Sequence, residues 1–251
     1  MVTSGNDVMI DDYDPEFYDL TFGERKEDIS FYTKQAKAAG GKVLEIACGS
    51  GRVYLELLNQ GLDVYGIDTS EKMLDALKRK TKVLKLQPHV KLADMRNFEI
   101  KHKFSLIIIP FRSFLHNLTI DDQLSTLKSC RKHLNTNGKL ALNFFYPNRD
   151  VIANTYGKEI HQPIDTADGQ VDLVRKSYFV DEPGQVIEFT FTWIKDNQIL
   201  SRFRSRLSII YKREFELLLS LAGFKRWQVY GGFDYQPLES YKQEMVWIIE
   251  K

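Results

Sequence analysis

The stretch Val43-Leu44-Glu45-Ile46-Ala47-Cys48-Gly49-Ser50-Gly51-Arg52 constrains this chain more than any other. An apolar run meets an acid, a glycine turn follows, and a helical pattern begins at once. That order describes a strand feeding a ligand-binding loop. Gly49 and Gly51 lack a Cβ, so backbone can approach a ligand closely and φ can turn positive. The loop opens onto a helix N-terminus, where free N–H groups face outward. Neither common phosphate loop fits. A P-loop ends in Gly-Lys-Ser/Thr, and Arg52-Val53-Tyr54 does not supply it. A dinucleotide fingerprint places a third glycine three residues after Gly51, where this chain has Tyr54. Glu45 would repel a phosphate and suits a ligand that carries a cationic amine.

An acid, three residues and Gly-x-Gly, here Glu45-x-x-x-Gly49-x-Gly51, resembles the first motif of the class I S-adenosylmethionine-dependent methyltransferases. The resemblance is best over residues 40–146. It implies an α/β, Rossmann-like sheet, mostly parallel, closed by a C-terminal antiparallel hairpin. It also implies S-adenosyl-L-methionine as cofactor, with its methionine end on the Glu45–Gly51 loop.

Two further strand ends carry acids. Asp63 to Asp68 reads as a second strand, and Asp68 lies 17 residues beyond Gly51. A carboxylate there accepts hydrogen bonds from ribose hydroxyls in a βαβ unit. Thr69 or Ser70 then caps a helix from Glu71 to Lys80, with Met73 and Leu77 toward the sheet. Its closing Lys78-Arg79-Lys80 cluster reads as a solvated end beside the negative pole of the helix. His89 to Arg96 contains a third strand, ending at Asp94. The resemblance implies that Asp94 binds the adenine amino group and that Met95 packs on the ring. It extends the cofactor set to the flanking Ala47, Thr69, Met73, Arg96 and Phe111. An NAD-binding domain accounts poorly for three such acids.

Phe104 to Ile109 is apolar throughout, as a central parallel strand covered on both faces must be. It runs into Pro110-Phe111-Arg112-Ser113-Phe114-Leu115-His116-Asn117, which the topology puts beyond the carboxyl end of the strand, beside the reacting groups. Many amine and nucleobase methyltransferases have Asn/Asp-Pro-Pro-Tyr here; this chain lacks the residue before the proline, which weakens a nucleobase substrate. Arg112 and Ser113 are candidate substrate contacts. His116 is a candidate general base, its ordinary pKa being near neutrality. Upstream, Tyr13, Tyr18 and Arg25 match the N-terminal lid that the resemblance implies. Tyr13 is assigned to the substrate, Arg25 to the cofactor carboxylate, and Tyr18 to the cofactor and as a second catalytic candidate. A lid excludes water and strengthens the electrostatics of the site.

The remaining elements are expected as a helix over 24–38, another over 121–134, a turn at 135–138 and a strand over 139–146. Three antiparallel strands follow, over 171–181, 185–194 and 198–209, with Ile187, Phe189, Phe191 and Trp193 on one face. They cannot join a parallel sheet easily, so a small inserted antiparallel sheet is expected to cover the site. Arg202, Arg204 and Arg206 share a face, either a solvated one paired with Glu188 or a site for an anion. A helix over 211–222 and strands over 224–230 and 243–250 complete the pattern. The division is a lid and helix (1–40), a cofactor-binding core (41–147), the inserted β sub-domain (148–210) and a closing helix and hairpin (211–251).

The 251 residues balance 35 basic against 34 acidic, which argues against a dedicated nucleic-acid protein. Cys48 and Cys130 are too few for a disulfide framework or a zinc site, and no metal is expected. With no long apolar run and a polar N-terminus, the chain reads as cytoplasmic and free of membrane. A homodimer through the inserted sheet is compatible with the pattern. The function expected is transfer of a methyl group to a nitrogen or oxygen of a small molecule. The alternatives are methylation of RNA or protein, or cofactor binding without turnover.

Overall fold

The computed structural model describes residues 14–166 and 168–251. Tyr13 therefore lies outside the described residues. In chain order the strands are β1 (Val43–Ile46), β2 (Val64–Asp68), β3 (His89–Leu92), β4 (Phe104–Ile109), β5 (Leu134–Phe145), β6 (Glu159–Thr166), β7 (Gly169–Asp181), β8 (Val186–Lys195), β9 (Gln198–Ser208), β10 (Arg226–Tyr230) and β11 (Glu244–Glu250). The helices are α1 (Pro15–Phe22), α2 (Ile29–Ala39), α3 (Tyr54–Asn59), α4 (Glu71–Leu84), α5 (Ile120–His133), α6 (Arg149–Thr155) and α7 (Lys212–Leu221).

Seven strands form the main sheet in the order β10-β11-β5-β4-β1-β2-β3. All four residues of β1 are buried, so its apolar run is covered from both faces. Val43 pairs in parallel with Val64 on β2 and with Leu106 on β4. Strand order reverses between β1 and β4, and a ligand crevice opens at the carboxyl ends of such a pair. Only β11 is reversed, antiparallel to both β5 and β10. One face of the sheet packs Leu44, Ile46, Ile107 and Leu142 against Phe144, Phe215 and Trp247. The other packs Val43, Val64, Leu106 and Ile108 against Phe31, Tyr32, Tyr54 and Leu77. Each such side chain gains about 1.5–3 kcal/mol on leaving water, which fixes the helices against the sheet.

A second sheet, β6-β7-β8-β9, is antiparallel throughout. Phe191 stands between Arg175 on β7 and Phe203 on β9, and Phe189 between Ser177 and Ser205. These residues share one face. The opposite face carries Glu188, buried, which accepts from Arg206 at 3.0 Å and lies 3.8 Å from Arg204. That pairing supports the solvated-face reading of the arginine stripe.

Helix α1 joins the two sheets. Phe17 packs on Trp193, and Phe22 packs on both Phe191 of the small sheet and Phe111 of the core, with centroids 5.2–5.6 Å apart. Trp193 Nε1 donates to Thr21 Oγ1 at 3.0 Å. Asp19 ties the helix to the β1 loop, accepting from Ser50 Oγ and meeting Lys80 Nζ, each at 2.6 Å. Lys80 is thus a clamp on α1 and not a solvated end.

Four local expectations differ from the structure. The helix expected over 24–38 begins later, as α2 at Ile29, with Asp28 before it turned inward to Arg52, and a separate helix, α1, precedes it in the aromatic segment. The start of α1 is a legible signal: Asp14 caps it through Glu16 N and Pro15 sits in the first turn. Helix α4 runs on to Leu84 and ends at Lys85 in the left-handed region. The turn expected at 135–138 lies within β5 as a register shift between Phe104↔Leu134 and Leu106↔Lys139. The insertion has a short helix, α6, and a fourth strand, β6, that alternation does not announce. β6 is a polar edge strand with Pro163 inside it, where a missing N–H is tolerated. Among the described residues no helix is long and apolar enough to cross a membrane.

Candidate active site

The loop after β1 turns sharply. Ala47, Gly49 and Gly51 have φ of 55°, 53° and 98°. The two glycines serve different ends. At Gly49 the place a Cβ would take is open space, and the residue borders a cavity of about 800 Å³. At Gly51 a Cβ would stand 2.9 Å from Leu55 Cγ and 3.1 Å from Leu77 Cγ. Gly51 therefore lets α3 and α4 close on the loop and does not itself line the cavity. Gly51→Ala is expected to cost about 2 kcal/mol, combining left-handed strain with crowding. Urea unfolding measures it; a loss below about 0.5 kcal/mol, within the range of neutral surface changes, would contradict the packing role.

Asp68 holds the loop in place. Its carboxylate accepts from Gly49 N at 2.8 Å and from Ser70 N at 2.9 Å. Asp68 also borders the cavity. Of the cofactor residues expected, Tyr18, Arg25, Ala47, Gly49, Asp68, Thr69, Met73, Met95 and Phe111 line the cavity. Glu45, Gly51, Asp94 and Arg96 are set back from it. Asp94 is engaged by Arg96, whose Nε lies 3.0 Å from both carboxylate oxygens and whose Nη2 lies at 2.5 Å. Arg96 also reaches Asp122 at 3.1 Å. That ion pair, two residues apart, is a competitor that strand-end position alone does not reveal.

Glu45 is buried beneath the loop, and burial pushes its carboxyl well above the usual range, opposed by the nearby Arg52 charge. One of its oxygens has no hydrogen-bond partner among the described residues. Arg52 is committed elsewhere: it donates bidentately to Asp28 at 2.6 Å and to the Arg25 carbonyl at 2.8 Å. Its guanidinium also lies 4.9 Å over the Phe111 ring. Tyr18 sits in this cluster, and burial raises its phenol to about 12 despite Arg52 beside it. It stays protonated at neutral pH, its oxygen accepting from the Arg52 guanidinium, so it is not poised as a base.

At the acceptor end the three expected residues all reach the cavity. His116 closes a 3₁₀ turn (Ser113–His116), and its Nδ1 is 3.3 Å from Ser205 Oγ on the small sheet. Its side chain opens to the cavity while protein walls surround it; this desolvation lowers its pKa, partly offset by a contact with the Arg206 backbone. Arg112 is paired bidentately with Glu244 at 3.0 and 2.7 Å. Ser113 Oγ donates to the Pro110 carbonyl at 2.8 Å. Asn143 ties this corner together: it donates to Glu244 at 2.7 Å and accepts from Tyr32 Oη at 2.7 Å and Phe111 N at 2.9 Å. An amide inside the apolar run Leu140–Phe145 is a signal that sequence reasoning passed over. The upper wall, from Arg175, Ser177, Phe189, Phe191, Phe203 and Ser205, was expected as a cover, with none of its residues assigned to the site.

A family model described as a methyltransferase domain matches residues 43–138. Residues 43–138 thus carry a methyltransferase domain that takes S-adenosyl-L-methionine as methyl donor, on a sheet with the class I strand order. The chain is 22% identical over 249 residues to a cypemycin N-terminal methyltransferase from Streptomyces sp, covering 95% of this chain and 99% of that protein. It is 22% identical over 228 residues to the dTDP-3-amino-3,4,6-trideoxy-alpha-D-glucopyranose N,N-dimethyltransferase of Streptomyces venezuelae, covering 86% and 92%. The structure of the CcbJ methyltransferase from Streptomyces caelestis superimposes with a TM-score of 0.79 at 20% identity, over 94% of this chain and 98% of that one. The residues at the loop fit the donor on two counts. The open space at Gly49 admits a ligand against backbone, and Glu45, set back beneath the loop with one oxygen unpartnered, places an acid behind the site that suits a cationic group.

Proposed function

We propose that this enzyme methylates an amine nitrogen of a small molecule, with a hydroxyl oxygen as the other nucleophile the site can serve. The observation that carries this reading is the cavity itself. About 800 Å³ lies between the carboxyl ends of β1, β2 and β4 and the aromatic face of the small sheet, so an acceptor is taken inside and not docked along a surface. The two similar Streptomyces proteins named for an amine, a peptide N-terminus and an amino sugar, favour nitrogen.

When bound, S-adenosyl-L-methionine supplies a methyl group on a sulfonium. In this proposal Asp68 takes the ribose hydroxyls, Met73 and Met95 flank the adenine, and Glu45 answers the ammonium from below the loop. Arg25 and Tyr18 face the methionine end, and Phe22 and Phe111 exclude water there. Residues 1–40 serve as the lid, 41–147 and 211–251 as the core and 148–210 as the acceptor cover. Rate comes mainly from holding nucleophile and methyl group in line, a contribution of up to about 7–11 kcal/mol where geometry is good. His116 accepts the proton that the nucleophile sheds.

Incubation with methyl-labelled S-adenosyl-L-methionine and a panel of amino sugars, short peptides and hydroxy acids tests the reading. Label in an amine supports it; label only in RNA or protein, or cofactor binding without label in anything, would refute it. The pH dependence tests His116. Its lowered pKa leaves the ring neutral above about pH 6.5, so the limb that His116 sets lies below that, apart from any limb set at higher pH by protonation of the acceptor amine itself. In His116→Gln this acidic limb is expected to vanish and kcat to fall about 10²-fold, the lower range of base catalysis. An unchanged profile would remove His116 from the chemistry.

A further inference from the structure

Arg175 is out of place. It lies on the face of β7 that carries Leu173, opposite Phe191 on β8 and Ile160 on β6, among apolar and aromatic neighbours. It borders the cavity, and its Nε is buried with no hydrogen-bond partner among the described residues. The side chain is half-buried and opens to the cavity, and a buried N–H left without an acceptor is costly unless a ligand or water satisfies it.

The neighbouring charges sharpen the point. Arg112 is neutralised by Glu244, and Lys242 by Asp150 at 3.1 Å. Arg25, the other guanidinium on this wall, makes no ion pair among the described residues and rests over the Phe22 and Phe111 rings. Arg25 is near enough to Arg175 to disfavour its charge, adding to the effect of burial. The two carboxylates on the cavity lining are already engaged: Asp68 by the loop, Glu244 by Arg112 and Asn143. The acceptor half of the cavity is therefore left with positive charge and no protein anion to balance it.

We propose that Arg175 binds an anionic group of the acceptor, a phosphate or a carboxylate, and so holds the nucleophile toward the β1 loop. A planar guanidinium on a rigid strand matches either anion through two parallel N–H bonds. The inference rests on the methyltransferase reading and narrows its substrate class to anionic amines.

The test uses the full-length protein saturated with S-adenosylhomocysteine. Inorganic phosphate, pyrophosphate, uridine diphosphate and acetate are titrated calorimetrically at constant ionic strength. Wild type is expected to bind at least one of these anions, and the tightest separates phosphate from carboxylate. Arg175→Met, which keeps the stem, is expected to weaken that binding at least tenfold and leave S-adenosylhomocysteine affinity unchanged. Arg175→Lys should retain part of it, and Arg202→Met, on the outer face of the small sheet, all of it. Thermal unfolding guards against misfolding: Arg175→Met should be as stable as wild type or more so, since it removes a half-buried charge whose Nε has no acceptor. Equal anion binding by wild type and Arg175→Met would overturn the proposal. So would no anion binding by wild type, or a loss of S-adenosylhomocysteine affinity in the variant, which would place Arg175 on the cofactor carboxylate instead. Failure of wild type to bind S-adenosylhomocysteine would count against the cofactor reading itself.

Discussion

Asp68→Ala is expected to weaken S-adenosyl-L-methionine binding at least a hundredfold. Two losses combine. The ribose hydroxyls lose a charged acceptor, and a hydrogen bond to a charged group contributes about 1.5–3 kcal/mol. The loop also loses its anchor, because the Gly49 and Ser70 N–H groups both donate to this carboxylate. Every 1.4 kcal/mol is about tenfold in affinity, so two such contacts account for the size of the effect. Asp68→Asn is not a mild control. Its amide NH₂ must face either Gly49 N or Ser70 N, setting donor against donor, so it should fall well short of wild type. Calorimetric titration of the cofactor, with NADH in parallel, measures both variants. Wild-type binding of the cofactor alone is the expected baseline. An Asp68→Ala affinity within threefold of it would remove Asp68 from the site, and NADH binding in its place would overturn the reading of the whole loop.

The second large effect concerns stability. Arg52→Met is expected to destabilise the protein by about 3–5 kcal/mol, the range for breaking one side of a buried ion pair. Both members are buried, with side chains 5% and 6% exposed. Removing the guanidinium strands the Asp28 carboxylate and also takes away the positive charge that opposes the burial of Glu45. Asp28→Asn combined with Arg52→Met should cost less than the sum of the single changes, because neither charge is then left alone. Urea unfolding gives the three values. An Arg52→Met loss under 1 kcal/mol would mean that Asp28 finds water or another donor, and that the pair does not fix the α1–α2 corner. The same pair fixes the residue that precedes α2, since Asp28 stands at its N-terminus.

The arginines illustrate how sequence and structure divide the work. Arg52 follows the glycine turn and reads only as the start of a helix, yet it is the buried post to which Asp28, the Arg25 carbonyl and the Phe111 ring are fixed. Arg202, Arg204 and Arg206 attract attention as a stripe, and Glu188 accounts for two of them. Arg175 carries no sequence signal, because a single cation in an alternating strand is ordinarily solvated. It is the tertiary packing of β7 over the cavity that makes it unusual.

What the sequence determined by itself were the features set by local periodicity and short spacing. Short buried runs such as Val43–Ile46 and Phe104–Ile109 fit central parallel strands by their length and flanking turns. The glycine turn and Asp68 follow from what φ and a strand end permit. These features place the β1 loop, the second strand and Met73 before any contact is known. Only the tertiary structure decided which groups remain free. Asp94 looks available by position but is held by Arg96, and Gly51 looks like a ligand contact but makes room for Leu55 and Leu77. Strand β6 escaped because an edge strand needs no apolar alternation, and Asn143 because its partners, Tyr32 and Glu244, are 111 and 101 residues away. Hydrogen-bond partners across such distances are chosen by the closure of the fold, and no local pattern encodes them.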